Sequence, residues 1–321
     1  MAGGQERLLR RRIRTIQSTQ KITRAMELIA ASRIVRAQAA VAAAQPYSEA
    51  ITTVIRDLAT GGGPVESPLL QPRDVVRKAA HIVVTADRGL CGAYNSSVIR
   101  ATEASLREHA AAGRDYSLLL VGRKGEGSFR YRGYRIDAAF TGFSDKPTYD
   151  HARRVGEAAT DAFVAGETDL VEILYTRFIS VGRQEVVRET LMPLSREDIA
   201  EEEAGLRPAY EFEPDADESL DLLLPRYVDS RIYAALLNAA ASEHAARQRA
   251  MKAATDNADD LITNLTRGMN RARQDAITTE IMEIVGGAEA LRKAKKAEPD
   301  YLIDTIEGRD QELFAARAMD R

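Results

Sequence analysis

Cysteine occurs once, as Cys91, so no intrachain disulfide can form and a reducing compartment is expected. No apolar run approaches the ~18 residues that a membrane-spanning helix requires, which excludes such a span. The opening MAGGQERLLRRRIRTIQ is charged throughout with no apolar stretch behind it, so it does not read as a secretory signal. Its Arg-rich character mimics a mitochondrial presequence, a reading disfavoured because Glu6 interrupts it and the helical pattern continues. No excess of one charge marks the whole chain either: 45 Lys and Arg against 48 Asp and Glu give a net charge of -3, which argues neither for nor against a nucleic-acid or membrane surface. The distribution says more, since residues 1–60 are basic and Arg196 to Leu224 is acidic, suggesting different partners for different regions.

The residues of familiar active sites are also missing. In TADRGLCGAYN, Gly89 and Gly92 lack the G-x-G-x-x-G spacing of a dinucleotide fingerprint. Gly122 and Gly127 have the outer spacing of a phosphate loop, but Ser128 stands where its lysine belongs, so the glycines read as tight strand-to-helix turns. His81, His109, His151 and His244 fall on separate elements with no metal-ligand spacing among them or with Cys91. Cys91 reads as a buried structural thiol, no serine sits in G-x-S-x-G, and the basic arm lacks the aromatics of a single-strand binder. No catalytic residue, cofactor or metal is expected.

What the chain has in quantity is helix. Asp229 to Val285 contains no proline and only Gly268, and would span roughly 80 Å as one rod at 1.5 Å per residue. Ala254, Ala258, Leu261, Leu265, Ala272 and Ala276 recur at three- and four-residue steps, a narrow stripe suited to one partner helix. Residues from Glu6 to Leu58 read as a second rod, with Pro46 expected to kink or break it. Its seam runs through Leu9, Ile13 and Ile16 and resumes at Ala30, Ile34, Ala37, Val41 and Ala44. Between them the register lands on Gln20, Thr23 and Glu27 while Ile22, Met26 and Ile29 sit beside it, so either the stripe winds or this part meets another surface.

Between the rods the period changes. HIVVT, YSLLLV, Arg135 to Phe140 and LVEILYT read as strands, separated by helices over Ala93 to Ala112, Lys124 to Tyr131 and Thr148 to Ala165, and Arg183 to Leu194 alternates like an edge strand. The expected fold is an α/β insert, a Rossmann-like open sheet that binds no nucleotide, between two long helices forming an antiparallel coiled coil. The boundaries are an N-terminal helix over 1–60, a linker over 61–74, the α/β domain over 75–200, an acidic linker over 201–217 whose Tyr210 and Phe212 either anchor its bend, the favoured reading, or face a partner, a C-terminal helix over 218–290 punctuated by Gly286 and Gly287, and a tail over 291–321.

Polar residues crowd both rods: Lys21, Thr23 and Arg24 near the seam slip, and Arg247, Arg273, Gln274, Thr278 and Glu280 on the second rod. They read equally as a solvated face or as breakable contacts to enclosing partners. At these places the chain resembles the gamma subunits of F-type ATP synthases: IRTIQSTQKITRAMELIAASR, TADRGLCGAYN, AMKAATDNADDLI and ARQDAITTEIMEIVGGA match in order across nearly all of residues 1–290. The resemblance implies a non-catalytic central rotor shaft, turned by the membrane c-ring, holding the epsilon subunit, and coupling proton flow to ATP synthesis in a hexameric head of alpha and beta subunits whose beta members carry the active sites. It implies a peripheral protein at the cytoplasmic face of the cell membrane. Met26 and Arg247 match positions facing the head's moving loops, and Gln274, Thr278 and Glu280 match the polar face near the shaft's tip. Lys21 and Arg273 complete the expected coupling set. An Arg247 guanidinium would make a directional contact exposed enough to break on each turn. The family commonly ends near Leu291, so residues 291–321 depart from it, and the paired cysteines of redox-regulated members are absent. A non-motor coiled-coil scaffold would explain the rods but not the insert, and a nucleotide enzyme the insert but not its missing phosphate loop.

Overall fold

A computed structural model describes residues 2–61, 67–194 and 216–297. Residues 62–66, the acidic stretch 195–215 with Tyr210 and Phe212, and the tail 298–321 lie outside the described residues. Two long helices, α1 (Ala2–Gly61) and α5 (Ala216–Ala297), flank a compact run: β1 (Lys78–Val84), α2 (Tyr94–Ala111), β2 (Asp115–Val121), α3 (Arg123–Tyr131), β3 (Ala138–Phe140), α4 (Tyr149–Val164), β4 (Leu170–Phe178) and β5 (Gln184–Met192). The chain divides into two compact units, Gln20–Asp256 and Met1–Thr19 with Asn257–Arg321.

The unit Gln20–Asp256 contains a mixed five-stranded sheet of order β3-β2-β1-β4-β5, parallel except for β5, which runs antiparallel to β4 at the edge. Ile82 at the centre lies opposite Leu119 on one side and Ile173 on the other. Strands buried on both faces need continuous apolar runs, which is why KAAHIVV, DYSLLLV and LVEILYTRF hold the middle and the alternating QEVVRETLM the edge. One face packs Ile82, Val84 and Ile173 against Ile55 of α1, Val155 and Phe163 of α4, and Val228 and Ile232 of α5. The other packs Val83, Leu118 and Leu120 against Val98 and Leu106 of α2 and Phe129 of α3.

Three sequence expectations change. Helix α1 is uninterrupted through Pro46. A proline inside a helix costs about 3 kcal/mol, but the turns beyond it bury Ile51, Ile55 and Leu58, worth about 1.5–3 kcal/mol each, and tertiary burial wins. Gly286 and Gly287 do not end α5, which runs on to Ala297 because Ala288, Glu289, Leu291 and Lys293 are strong helix formers. The seam of α1 does not wind. Glu27 is buried and Gln20 and Thr23 partly so, while Ile22, Leu28 and Ile29 are 60%, 59% and 54% exposed. The polar register is therefore the inner face, and the apolar residues beside it look outward.

Candidate functional site

In an open sheet of this order the ligand crevice lies beyond the carboxyl ends of β1 and β4, where the winding reverses. Here α5 fills it. Ser242 Oγ donates to the Thr176 carbonyl at 3.0 Å, Asn238 Oδ1 accepts from the Phe178 amide at 3.4 Å, and Arg249 Nη1 donates to the Gly182 carbonyl at 2.7 Å while its other nitrogen meets Gln184. The start of α3, where a phosphate would seek amide donors, is also taken. The Asp87 carboxylate accepts from the amides of Arg123, Gly142 and Ser144 at 3.1, 2.9 and 3.0 Å, and Thr85 Oγ1 accepts from the Gly125 amide at 2.9 Å. Burial pushes the Asp87 carboxyl up, but those amides hold its pKa below the usual carboxylate value. A phosphate at the start of α3 would therefore meet the like charge of Asp87 and amides already bonded. Gly122 is required there, with φ +92° and a Cβ position only 2.2 Å from the Thr85 carbonyl oxygen.

The TADRGLCGAYN segment is the loop after β1 together with the first two residues of α2. It turns through Leu90 (φ 62°) and Gly92 (φ 57°), burying Cys91 and leaving Leu90 62% exposed. A left-handed conformation at a branched residue is strained, and its result is an apolar side chain held out to solvent. Burial raises the Cys91 thiol pKa despite the nearby Arg247 charge. Arg247 ties the loop to α5: its Nε and Nη2 each approach the Gly89 carbonyl at 3.4 Å, and Nη2 bonds Glu243 Oε1 at 2.6 Å. Burial raises the Glu243 pKa, opposed by Arg247, and burial lowers that of His244 to about 4, so its ring is neutral at pH 7. The expectation of an exposed Arg247 is corrected, because its side chain is only 9% exposed and that of Glu243 1%. A guanidinium with a buried carboxylate one turn away folds inward to it.

The structure brings two of the named coupling residues together. Met26 and Arg247 line one hollow of about 290 Å3, with Ile29, Arg33, Arg88 and Leu90 around them. Lys21 lies exposed on α1, and Arg273, Gln274, Thr278 and Glu280 are exposed on α5 in the other unit, beside Ile277 and Ile281 at 49% and 54% exposure. Sequence reasoning did not single out Arg88 or Leu90, because a positive φ at Leu90 leaves no mark in residue type.

The absence of histidine clustering is also corrected. His81 of β1 and His109 of α2 meet edge-on at 5.1 Å between ring centres, and both reach Glu172 of β4, their Nε2 atoms 3.3 and 3.2 Å from its Oε2. The three donor atoms lie within 4.8 Å of one another, close enough to hold a metal. Their hydrogen bonds favour a network without one. Arg114 donates to His109 Nδ1 at 3.4 Å, which puts the ring proton on Nε2 facing Glu172, and Ser105 Oγ donates to the same carboxylate at 3.2 Å. Arg188, 3.7 Å away, balances the charge. Burial pushes Glu172 up, yet the His81 and His109 hydrogen bonds and the Arg188 charge hold its pKa at about 2.

Comparison with known proteins agrees on one family. A family model described as ATP synthase matches residues 5–291. The chain is 52% identical over 293 residues to the ATP synthase gamma chain of Frankia casuarinae, covering 90% of this chain and 98% of that one. It is 47% identical over 303 residues to the ATP synthase gamma chain of Mycolicibacterium smegmatis, covering 90% and 98%. Its fold is similar to a chain of the Euglena gracilis mitochondrial ATP synthase solved as OSCP, F1 and c-ring (TM-score 0.64, 17% identity, 93% and 98% covered) and to one solved as the rotor of that enzyme (TM-score 0.62, 14% identity, 86% and 99% covered).

Proposed function

The chain belongs to the ATP synthase gamma family, and from that premise we propose that it is the central rotor shaft of the proton-translocating ATP synthase, carrying torque from the membrane c-ring to the catalytic alpha/beta head. The observation that carries this reading is α5 bonded across the crevice. A sheet whose crevice is crossed by α5, held through Ser242, Arg247 and Arg249, acts as a collar gripping a shaft. Torque applied to the collar then reaches the helix through directional polar bonds as well as apolar packing.

On this reading α1 and α5 pair as an antiparallel coiled coil, supported by the 2.8 Å contact between Thr23 Oγ1 and Thr255 Oγ1. The coiled-coil segments are residues 1–60 and 218–290, the collar is 75–200, and 61–74 and 201–217 link them. The outward Ile22, Ile29 and Leu90 and the hollow at Met26 meet the head's moving loops, and Lys21, Arg273, Gln274, Thr278 and Glu280 supply polar contacts modest enough to break as the shaft turns. Arg247 acts there by holding the loop that presents Leu90, not as a free charge. The catalytic sites belong to the beta subunits, epsilon rides on the collar, and the chain is peripheral at the cytoplasmic face of the membrane. No helix among the described residues is long and apolar enough to cross it. A scaffold unconnected with the motor has no comparable support.

Met26→Lys tests the reading. The hollow already holds Arg33, Arg88 and Arg247, so a fourth cation would repel them and seek an acidic stator loop instead. In vesicles carrying the assembled enzyme, ATP hydrolysis should persist while proton pumping per ATP falls. Unchanged pumping per ATP would count against the coupling role.

A further inference from the structure

A cavity of about 750 Å3 opens between α1, α4 and α5 within the unit Gln20–Asp256. That volume is in the range of pockets that hold small organic ligands. Tyr47, Tyr149 and Tyr233 form an aromatic wall, with Tyr47 and Tyr149 edge-on at 6.4 Å and Tyr149 and Tyr233 at 5.8 Å.

Asp229 also lines the cavity, though only 8% of the residue is exposed. Burial and the charge of Glu157 push its pKa up to about 6, Arg153 opposes them, and no hydrogen bond to the carboxyl contributes. Its Oδ1 rests against α4 where a Cβ at Gly156 would be 2.1 Å away, so only glycine admits it. A buried carboxylate without donors is costly, and a cation supplied from outside would remove that cost. The other charges nearby do not supply one. Arg153 of α4 is engaged with Asp150 and Glu157 at 3.6 Å each, Arg226 of α5 is exposed at the rim, and α1 presents the uncharged Gln45, Tyr47 and Ser48.

We propose that this cavity binds a small organic ammonium ion with an apolar body, its nitrogen paired with the Asp229 carboxylate and its body against Tyr47, Tyr149 and Tyr233. Cation–aromatic attraction adds to the ion pair. Because the walls come from three helices, an occupant ties α1 and α4 to α5 and stabilises the unit by mass action.

The test is calorimetric titration of the full chain with 4-phenylbutylammonium, 4-phenylbutanol and 4-phenylbutanoate, which share a body and differ in charge. The ammonium should bind about 10-fold or more tightly than the alcohol, and the carboxylate most weakly. Asp229→Asn should cut the preference for the ammonium over the alcohol to the smaller part that the tyrosines supply, and Ala234→Phe, which fills the cavity, should abolish binding of both. Binding of the ammonium should weaken as pH falls below about 6, where Asp229 takes up a proton. Equal affinity for the three probes, no binding of the ammonium, or ammonium binding unchanged by Ala234→Phe would each overturn the proposal. Thermal melts check that the variants fold, and should Asp229→Asn fail to, the probe comparison and Ala234→Phe decide alone.

Discussion

Replacing Arg247 by methionine removes a charge from a site where its partner cannot reach water. Methionine keeps most of the stem's packing, so the loss is electrostatic. Glu243, 1% exposed in its side chain, keeps a buried carboxylate whose second oxygen, Oε2, has no hydrogen-bond partner among the described residues. Breaking one side of a buried pair costs about 3–5 kcal/mol. The long 3.4 Å contacts to Gly89 add little to that, so Glu243 dominates. The sign of the pH dependence follows. Burial raises the folded pKa of Glu243 above its unfolded value, and without Arg247 only the Ser144 hydroxyl opposes it. The variant is therefore most stable below the unfolded glutamate pKa and loses stability as pH rises through the window up to the folded pKa. Adding Glu243→Gln should restore stability to within about 1 kcal/mol of the parent, since a neutral group ends the charge penalty. Urea unfolding of the full chain gives the global value, and Cys91, a single thiol 1% exposed beside this cluster, gives a local one. Its labelling in native buffer should speed up by about 100-fold or more if opening is easier by 3 kcal/mol. A single variant within about 1 kcal/mol of the parent, with labelling unchanged, would refute the clasp.

Two further outcomes follow from other contacts. Because Glu172 sits at about pH 2 in the fold, its stabilisation is complete above the unfolded pKa and is lost as pH falls from there toward 2; Glu172→Gln should remove that acid slope in a melt series and cost about 2 kcal/mol at neutral pH. Thr23→Cys with Thr255→Cys, in a Cys91→Ala background, should form a disulfide on oxidation because the two hydroxyls are 2.8 Å apart, and ATP synthesis should survive the link since both helices turn together.

Much of the sheet was legible because its strands are buried on both faces. HIVVT, YSLLLV and LVEILYT admit no other use, and the alternation of Gln184–Met192 marks an edge. The long helices were legible from composition. The end of α1 at Gly61 was legible too, but its continuity past Pro46 and the run of α5 past Gly286 and Gly287 were not, because tertiary burial or neighbouring propensity overrides those local penalties. Nor could the inner face of α1 be read. Gln20, Thr23 and Glu27 turn inward because polar partners such as Thr255 wait there, 232 residues away in the chain. Separation in sequence also hid the meeting of His81, His109 and Glu172, which lie on two paired strands and on α2 packed against them. Arg247 and Met26 were picked out by family resemblance, and the burial that changes the role of Arg247 became visible only once Glu243 was seen one turn before it.

The rotor assignment is tested most directly by watching this chain move. Tyr131, 91% exposed at the end of α3, can be replaced by cysteine and labelled with a bead while Cys91 stays buried. With the assembled enzyme fixed through its alpha/beta head, added ATP should drive the bead round in one direction. A bead that stays still while ATP is hydrolysed at the normal rate would contradict the shaft.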